Sequence, residues 1–313
     1  MKIVEEAQVR ALVTPRDCVE IMRQALSDLE NGKYVMPPRM ICTMPNTAAF
    51  GFMPAYVGDY FGAKVITAYG PNAGTRYPTH IGYVVLFESE HCTVAGLVDA
   101  TAVTEIRTGA VSAVATDLLA RKDARTLGLI GAGAQARSHM AAIATVRDIT
   151  AVRVYDLRHE AAQAFAGEIT ARYGGPVTVC GSAAEAVREA DIVCTLTPAK
   201  EAYLTRDMIR PGTHVNAVGT FTPTTREAAS DLVAASRLYA DQISAMQSES
   251  GEYLIPLREG LITQEHIVGS IGQVINGTAP GRQSDEEITL FDALGLAVED
   301  IACAKYAFLQ AQE

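Results

Sequence analysis

Thr126-Leu127-Gly128-Leu129-Ile130-Gly131-Ala132-Gly133-Ala134-Gln135-Ala136 joins an apolar run to a glycine turn and then to a helical pattern. The turn has the spacing G-x-G-x-x-A, and each small residue has a physical task. Gly131 permits the tight turn, Gly133 lets the backbone come close to a pyrophosphate, and Ala136 lets the helix pack closely on its strand. The helix start offers unpaired N–H groups and the positive end of a dipole to phosphates. Alone, the spacing is common in turns. Here it lies between a strand and a helix, and Val152-Arg153-Val154-Tyr155-Asp156 follows as a second apolar strand ending in an acid. An acid at that point is placed to bind both ribose hydroxyls of an adenosine. The segment therefore predicts a dinucleotide site that includes Gly131, Gly133, Ala134, Gln135 and Asp156. Asp156 favours NAD, because its charge repels a 2′-phosphate. Arg158, two residues on, can neutralise such a phosphate, which leaves NADP open.

Around this turn, strand and helix signals alternate. They run Thr126–Ile130, a helix after Gly133, Val152–Asp156, a helix through about Tyr173, Val177–Cys180, a helix from Ser182, and Ile192–Thr197. Further strands are expected at His214–Val218 and Arg237–Asp241, and Ser182 with Glu185 has the spacing of a capping box. Such alternation predicts an α/β fold with a parallel, doubly wound sheet. The N-terminal part reads differently. Thr14 can cap a helix with Pro15 at its first position, and Val19, Met22, Leu26 and Leu29 continue it until Asn31-Gly32. Gly62–Tyr69, His80–Glu88 and Thr93–Val98 then read as successive strands, separated by turn-rich pieces such as Gly70–Gly74, which predicts an antiparallel sheet. Ile106, Ala110, Val114 and Leu118 mark a helix leading into the second half. Ala297, Ile301, Ala304 and Phe308 mark a last helix, expected to return to the N-terminal domain. Ser244–Gly251, the flattest stretch, reads as a loop.

The 313 residues suffice for two domains, and 49% apolar with 20% charged residues is the balance of a folded protein. A net charge of −10 argues against nucleic acid or an anionic membrane as partner, while leaving room for a basic pocket that takes a small anionic substrate. Six scattered cysteines, with no C-x-x-C pair and no His at ligand spacing, suggest neither a disulfide framework nor a metal site. MKIVEEAQVR is too polar for a signal peptide, and no apolar run reaches membrane-span length, so the cytoplasm is the expected location.

A wider set of motifs resembles the ornithine cyclodeaminase/mu-crystallin family over nearly the whole chain. It comprises Pro38-Arg39-Met40, Gly62-Ala63-Lys64-Val65, Pro78-Thr79-His80-x-Gly82 and Glu105-Ile106-Arg107-Thr108-Gly109-Ala110. It continues through the Gly131–Ala136 turn, Val215-Asn216-Ala217-Val218-Gly219, and Ile288-Thr289-Leu290-Phe291 followed by Gly295–Asp300. The resemblance implies a Rossmann domain over about 113–289 and an α+β substrate and dimerisation domain built from 1–112 and 290–313, in a homodimer. It also implies that Arg39, Lys64 and Arg107 line the substrate pocket and carry the catalytic roles. Thr108 would help hold the cofactor phosphates, Val218-Gly219 would lie beside the nicotinamide, and Thr195-Leu196-Thr197 beside the adenosine half. His80 is a further candidate for orienting substrate.

Those assignments make chemical sense. Two guanidiniums can hold a carboxylate through charge-assisted bonds, and a lysine near them loses its proton more readily. The family's cyclodeaminases return the hydride to their product, and their pattern has an Asp two residues after the glycine that Gly219 matches. Here that position is Phe221. The expectation is therefore NAD(P)H-dependent net reduction of a small carboxylate-bearing imine to an amino acid. Arg76 and His80 would suit a second carboxylate, as in iminosuccinate. A lyase-type cyclodeaminase with recycled NAD and a non-catalytic binding protein are the alternatives.

Overall fold

A computed structural model describes residues 1–72 and 74–312. In chain order the elements are β1 (Lys2–Val4), α1 (Glu6–Leu12), α2 (Pro15–Glu30), β2 (Met40–Thr43), β3 (Ala49–Tyr56), β4 (Tyr60–Ala68), β5 (His80–Glu88), β6 (Val94–Asp99) and α3 (Ala100–Leu119). There follow β7 (Thr126–Ile130), α4 (Ala134–Ile143), β8 (Ala151–Tyr155), α5 (His159–Tyr173), β9 (Val177–Val179), α6 (Ala183–Arg188), β10 (Ile192–Thr195) and β11 (His214–Ala217). The chain ends with α7 (Ser230–Ala234), β12 (Ser236–Ala240), α8 (Ile243–Glu249), α9 (Gly251–Arg258), β13 (Ile267–Ser270), α10 (Ile271–Ile275), β14 (Ile288–Asp292) and α11 (Ala297–Gln310). Two compact units result, 1–107 with 296–313, and 108–295. None of the described helices is long and apolar enough to cross a membrane.

The first unit is a six-stranded sheet in the order β1-β6-β5-β4-β3-β2, antiparallel except for the β1–β6 edge. Alternation along its strands separates two faces. Met53, Ala55, Val84, Leu86 and Val98 are buried on the face against which α11 packs, and α11 also packs on α2. Thr14 caps α2 as expected, accepting from the Asp17 N–H. Strand β3 was not legible, because Gly51 and Pro54 interrupt it. Pro54 is tolerated because β2 pairs only with Ala49–Phe52, so beyond that point β3 has one partner strand. The turn-rich stretch after β4 opens with a short 3₁₀ turn at Gly70–Asn72; Ala73 within it lies outside the described residues.

The second unit is an eight-stranded, wholly parallel sheet in the order β13-β12-β14-β11-β10-β7-β8-β9. The order reverses between β7 and β10, and ligands of such sheets bind outside the carboxyl ends of the strands at that reversal. Strand β14, buried at all five residues, lies between β11 and β12. It corrects the expected domain limit at 290, since the first unit takes up the chain again only at Leu296. The earlier limit, expected at 112, falls within α3, whose first turns belong to the first unit and the rest to the second.

Two local expectations are also corrected. Ser244–Gly251 is not a loop: it carries most of α8 and the start of α9. The fully buried Met246 anchors α8, and the Ser250 hydroxyl caps α9 by accepting from the Tyr253 N–H, so packing and a cap override the polar composition. Ser182 caps α6 by accepting from the Glu185 N–H, but the Glu185 carboxylate accepts from Gly181 N–H, one residue before the capping-box position.

Candidate active site

The residues singled out in the sequence fall into two groups, one in each unit. In the first, Lys64 sits in the cross-strand row Met53–Lys64–Val84, on the buried face of the sheet, and is 3% exposed. A lone ammonium there would be very costly, so partners are required. Its Nζ lies 2.8 Å from Asp300 Oδ2 and donates to Thr104 Oγ1 at 3.3 Å. Thr104 and Arg107 are one turn apart on α3. Arg107 donates through Nε to Asp300 Oδ1 (2.9 Å) and through Nη1 to Glu299 Oε2 (2.8 Å). Glu299 and Asp300 occupy the first turn of α11, where the helix dipole favours negative charge, and both are fully buried. Two cations thus face two anions out of water. Burial lowers the Lys64 pKa below the usual lysine value, and the Arg107 charge adds to the effect, while Asp300 opposes it.

The other sequence candidates of this unit lie around that cluster. Arg39 is half-buried, immediately before β2. Continuing the register of β2 and β3 sets it opposite Met53, in the row of Lys64 and two strands away, roughly 10 Å at the usual interstrand spacing. His80 opens β5, on the same face as Lys64, with its Nδ1 3.2 Å from Thr79 Oγ1. Desolvation and the Lys64 charge lower its pKa below the ordinary imidazole value. Arg76 is exposed and turned to its neighbour, donating to the Tyr77 hydroxyl at 2.6 Å and stacking over that ring. Glu299 and Asp300 were quoted above only as part of a motif. Two adjacent acids at the start of an apolar helix were the signal for their role.

In the second unit the two glycines of the turn differ in what requires them. Gly131 has φ +102°, and a Cβ there would stand 2.8 Å from the Leu196 carbonyl oxygen. The chain itself therefore demands glycine. Gly133 has φ −82°, which any residue adopts, and an added Cβ would meet nothing within 4 Å. No neighbour in the fold requires Gly133. What it leaves is an open cradle at the N-terminus of α4, beside Ala134 and Gln135, and that cradle fits a phosphate group. Asp156, just past β8, accepts from Ala132 N–H (2.9 Å) and from Arg158 N–H (2.8 Å), so it braces the glycine turn. The exposed Arg158 guanidinium is 3.8 Å from it. Thr108 is buried in α3, next to Gly109, where a Cβ would collide with the Ser138 backbone of α4.

Two more loops complete this edge. Thr195 ends β10, and Val218 donates its N–H to the Thr195 carbonyl. A Cβ at Gly219 would come within 2.1 Å of the Thr197 carbonyl oxygen. The turn at Gly131, the Thr195–Leu196–Thr197 segment and Val218–Gly219 are therefore stacked backbone on backbone. Behind them lie acids that sequence reasoning placed in no such role. Glu227 accepts from Thr197 N–H, Thr197 hydroxyl, Tyr203 hydroxyl and Gly219 N–H. Glu252 accepts from Glu227 N–H and the Thr220 hydroxyl, and burial with the nearby Glu227 charge pushes its pKa up to about 7. Phe221, by contrast, is 47% exposed. Among the described residues, no group of three or more His, Cys, Asp or Glu side chains is arranged to hold a metal ion.

The family model for the ornithine cyclodeaminase/mu-crystallin family matches residues 1–313. A Δ(1)-pyrroline-2-carboxylate reductase of Bacillus cereus is 36% identical over 317 residues, covering all of this chain and 97% of the relative. The structure of Thermococcus litoralis Δ(1)-pyrroline-2-carboxylate reductase in complex with NADH and L-proline superimposes with a TM-score of 0.96 at 34% identity, covering all of this chain and 98% of that one. An archaeal alanine dehydrogenase dimer with bound NAD gives a TM-score of 0.94 at 31% identity, over 99% and 95% of the two chains. The fold is thus a Rossmann unit with a second α+β unit, and the chain belongs to the ornithine cyclodeaminase/mu-crystallin family.

Proposed function

We propose that this protein is an NADH-dependent reductase of small imines that carry a carboxylate on the imine carbon, yielding the amino acid. The observation that carries the reading is the buried Lys64–Asp300–Arg107–Glu299 cluster, which holds a lysine ready to release a proton beside a fixed guanidinium. In this reading Arg39 and Arg107 bind the substrate carboxylate, and His80 orients the substrate. The dinucleotide is held on the second unit by Thr108, the Gly131–Gln135 turn, Asp156, Thr195–Thr197 and Val218–Gly219. Bound NADH supplies the hydride that reduces the imine carbon. Asp300 orients the Lys64 ammonium, which gives its proton to the imine nitrogen and is reprotonated from solvent. Hydride at carbon and proton at nitrogen together convert C=N to CH–NH. Asp156 favours NADH over NADPH, with Arg158 as the residue through which NADPH would gain.

Cyclic ketimines such as Δ(1)-pyrroline-2-carboxylate come first among substrates, on the strength of the two reductases to which the chain is similar. Iminosuccinate ranks lower, because Arg76, expected to meet its second carboxylate, is engaged at the surface with Tyr77. A screen of imines following NADH absorbance at 340 nm tests the proposal. We expect one NADH consumed per amino acid formed, with the rate falling as pH rises through a Lys64 pKa that lies below the ordinary lysine value. No NADH loss with any carboxylate-bearing imine would refute it.

We also propose a homodimer, working in the cytosol, with the outer face of the six-stranded sheet as the contact. Met40, Phe52 and Tyr83 lie with Val65 in one cross-strand row of that face and are 53%, 38% and 36% exposed. So large an exposed apolar row marks a protein interface, and the family resemblance makes a second copy its occupant. Phe52→Glu should convert a dimer to a monomer in light scattering after size exclusion; a wild-type monomer would end this part of the proposal. Six free thiols suit a reducing compartment.

A further inference from the structure

We infer that Glu227 is the positioning residue of the dinucleotide site, clamping the loop after β10 and the loop after β11 into one surface. The inference rests on the cofactor reading above and deepens it. Glu227 is fully buried, and its two oxygens are divided between the loops. Oε1 accepts from Thr197 N–H at 2.8 Å, from the Thr197 hydroxyl at 2.7 Å and from the Tyr203 hydroxyl at 2.7 Å. Oε2 accepts from Gly219 N–H at 2.7 Å. Bonds to a charged acceptor are short and about twice as strong as neutral ones, so four converging on one carboxylate make a stiff joint.

Independent observations show that the joint holds surfaces already in contact. Only glycine fits at 219, since a Cβ there would meet Thr197 O at 2.1 Å, Thr197 N at 2.4 Å and Glu227 Oε2 itself at 2.7 Å. Leu196, the residue before Thr197, is what excludes a Cβ at Gly131. Through Glu227 the position of Gly219 is thereby tied to that of the phosphate turn, on three different strand ends. The clamp is itself anchored from behind. Glu252 on α9 accepts from the Glu227 N–H at 2.7 Å and from the hydroxyl of Thr220, next to Gly219. Gly251 allows α9 this close, because a Cβ there would strike the Thr225 carbonyl at 2.0 Å. A loop that contacts cofactor must hold its shape to within fractions of an ångström, and loops alone do so poorly. Glu227 supplies the missing rigidity without touching substrate.

Glu227→Gln tests this most cleanly. It keeps the shape, but an amide can accept through one atom only, and its NH₂ would face either the Gly219 N–H or the Thr197 donors. With the purified full-length dimer or monomer, NADH affinity is read by fluorescence titration and imine kinetics at saturating NADH. The expected result is an NADH Kd raised at least about tenfold, with the imine KM at saturating NADH changed less than about twofold. Tyr203→Phe, which removes one donor of four, should raise the NADH Kd roughly threefold, and should have no further effect in the Gln background. Wild-type NADH affinity in Glu227→Gln, even with a lowered melting temperature, would mean that Glu227 serves stability alone and would overturn the inference. If Glu227→Gln does not fold, Tyr203→Phe decides: an unchanged Kd overturns the inference, a raised one supports it. A wild-type enzyme that binds no dinucleotide would bring down the cofactor reading and this inference together, whereas wild-type binding with an indifferent Gln variant would bring down this inference alone.

Discussion

Gly133→Val should abolish dinucleotide binding while leaving the fold almost untouched. The substitution places two methyl groups in the open cradle at the start of α4, where a phosphate would otherwise approach the backbone. We expect the NADH Kd to rise at least about a hundredfold, which at about 1.4 kcal/mol per decade is a loss of roughly 3 kcal/mol of binding. Stability should change by no more than about 1 kcal/mol, because φ −82° suits valine and only a modest capping preference is lost. Titration of NADH fluorescence beside a urea melt measures both. Unchanged NADH affinity would move the site away from this turn. Gly131→Val should behave in the opposite way, damaging the fold, since φ +102° and the Leu196 carbonyl both exclude a side chain.

Arg107→Ala should cost both activity and stability, and Arg39→Ala should cost activity. Truncating Arg107 takes a cation away from the fully buried Glu299 and Asp300, of which Asp300 still pairs with Lys64. Breaking a buried ion pair by removing one partner typically costs about 3–5 kcal/mol. Loss of a charged bond to the substrate carboxylate, worth roughly 1.5–3 kcal/mol, should lower kcat/KM at least about tenfold as well. Arg39, half-buried ahead of β2, should show a kinetic loss of that size. Wild-type kinetics in both variants would remove the arginines from the substrate, and a fully stable Arg107→Ala would contradict the energetic role of the cluster.

The parts of this architecture that were legible share one property: their information is local. The Gly131–Ala136 turn, the Thr14–Pro15 helix start and the alternating strands β7 to β12 are set by residues close in sequence. What was missed depends on residues far apart. Ile288–Phe291 was quoted as a motif but not read as a strand, because a five-residue buried strand has no periodicity of its own. Its place between β11 and β12 comes from a chain crossing that only the assembled sheet reveals. Ser244–Glu249 is polar enough to read as loop, and it is helical because Met246 finds the core.

The candidate site divides along the same line. Lys64 and Arg107 were marked by the family resemblance, and each is a charge in an apolar or small-residue element. That they share Asp300, from the far end of the chain, could not be seen from either neighbourhood. Glu227, the first acid after Phe221, could by position alone stand in for the acid that Phe221 replaces. The structure gives its oxygens four donors in the two loops, which leaves it occupied in another task.

The distinction between net reduction and internal cyclisation rests on that last point. Cyclisation needs the distant amine of the substrate to be deprotonated and aimed at the imine carbon. Phe221 offers no lone pair for it, the Thr220 hydroxyl is too weak a base, and Glu227 and Glu252 are bound to backbone and hydroxyl donors. Incubating the enzyme with ornithine and catalytic NAD⁺, and assaying proline and ammonia, puts this directly to the test. The account predicts neither product above background while the same preparation reduces a carboxylate-bearing imine with NADH. Proline and ammonia released at a rate comparable to imine reduction would contradict it.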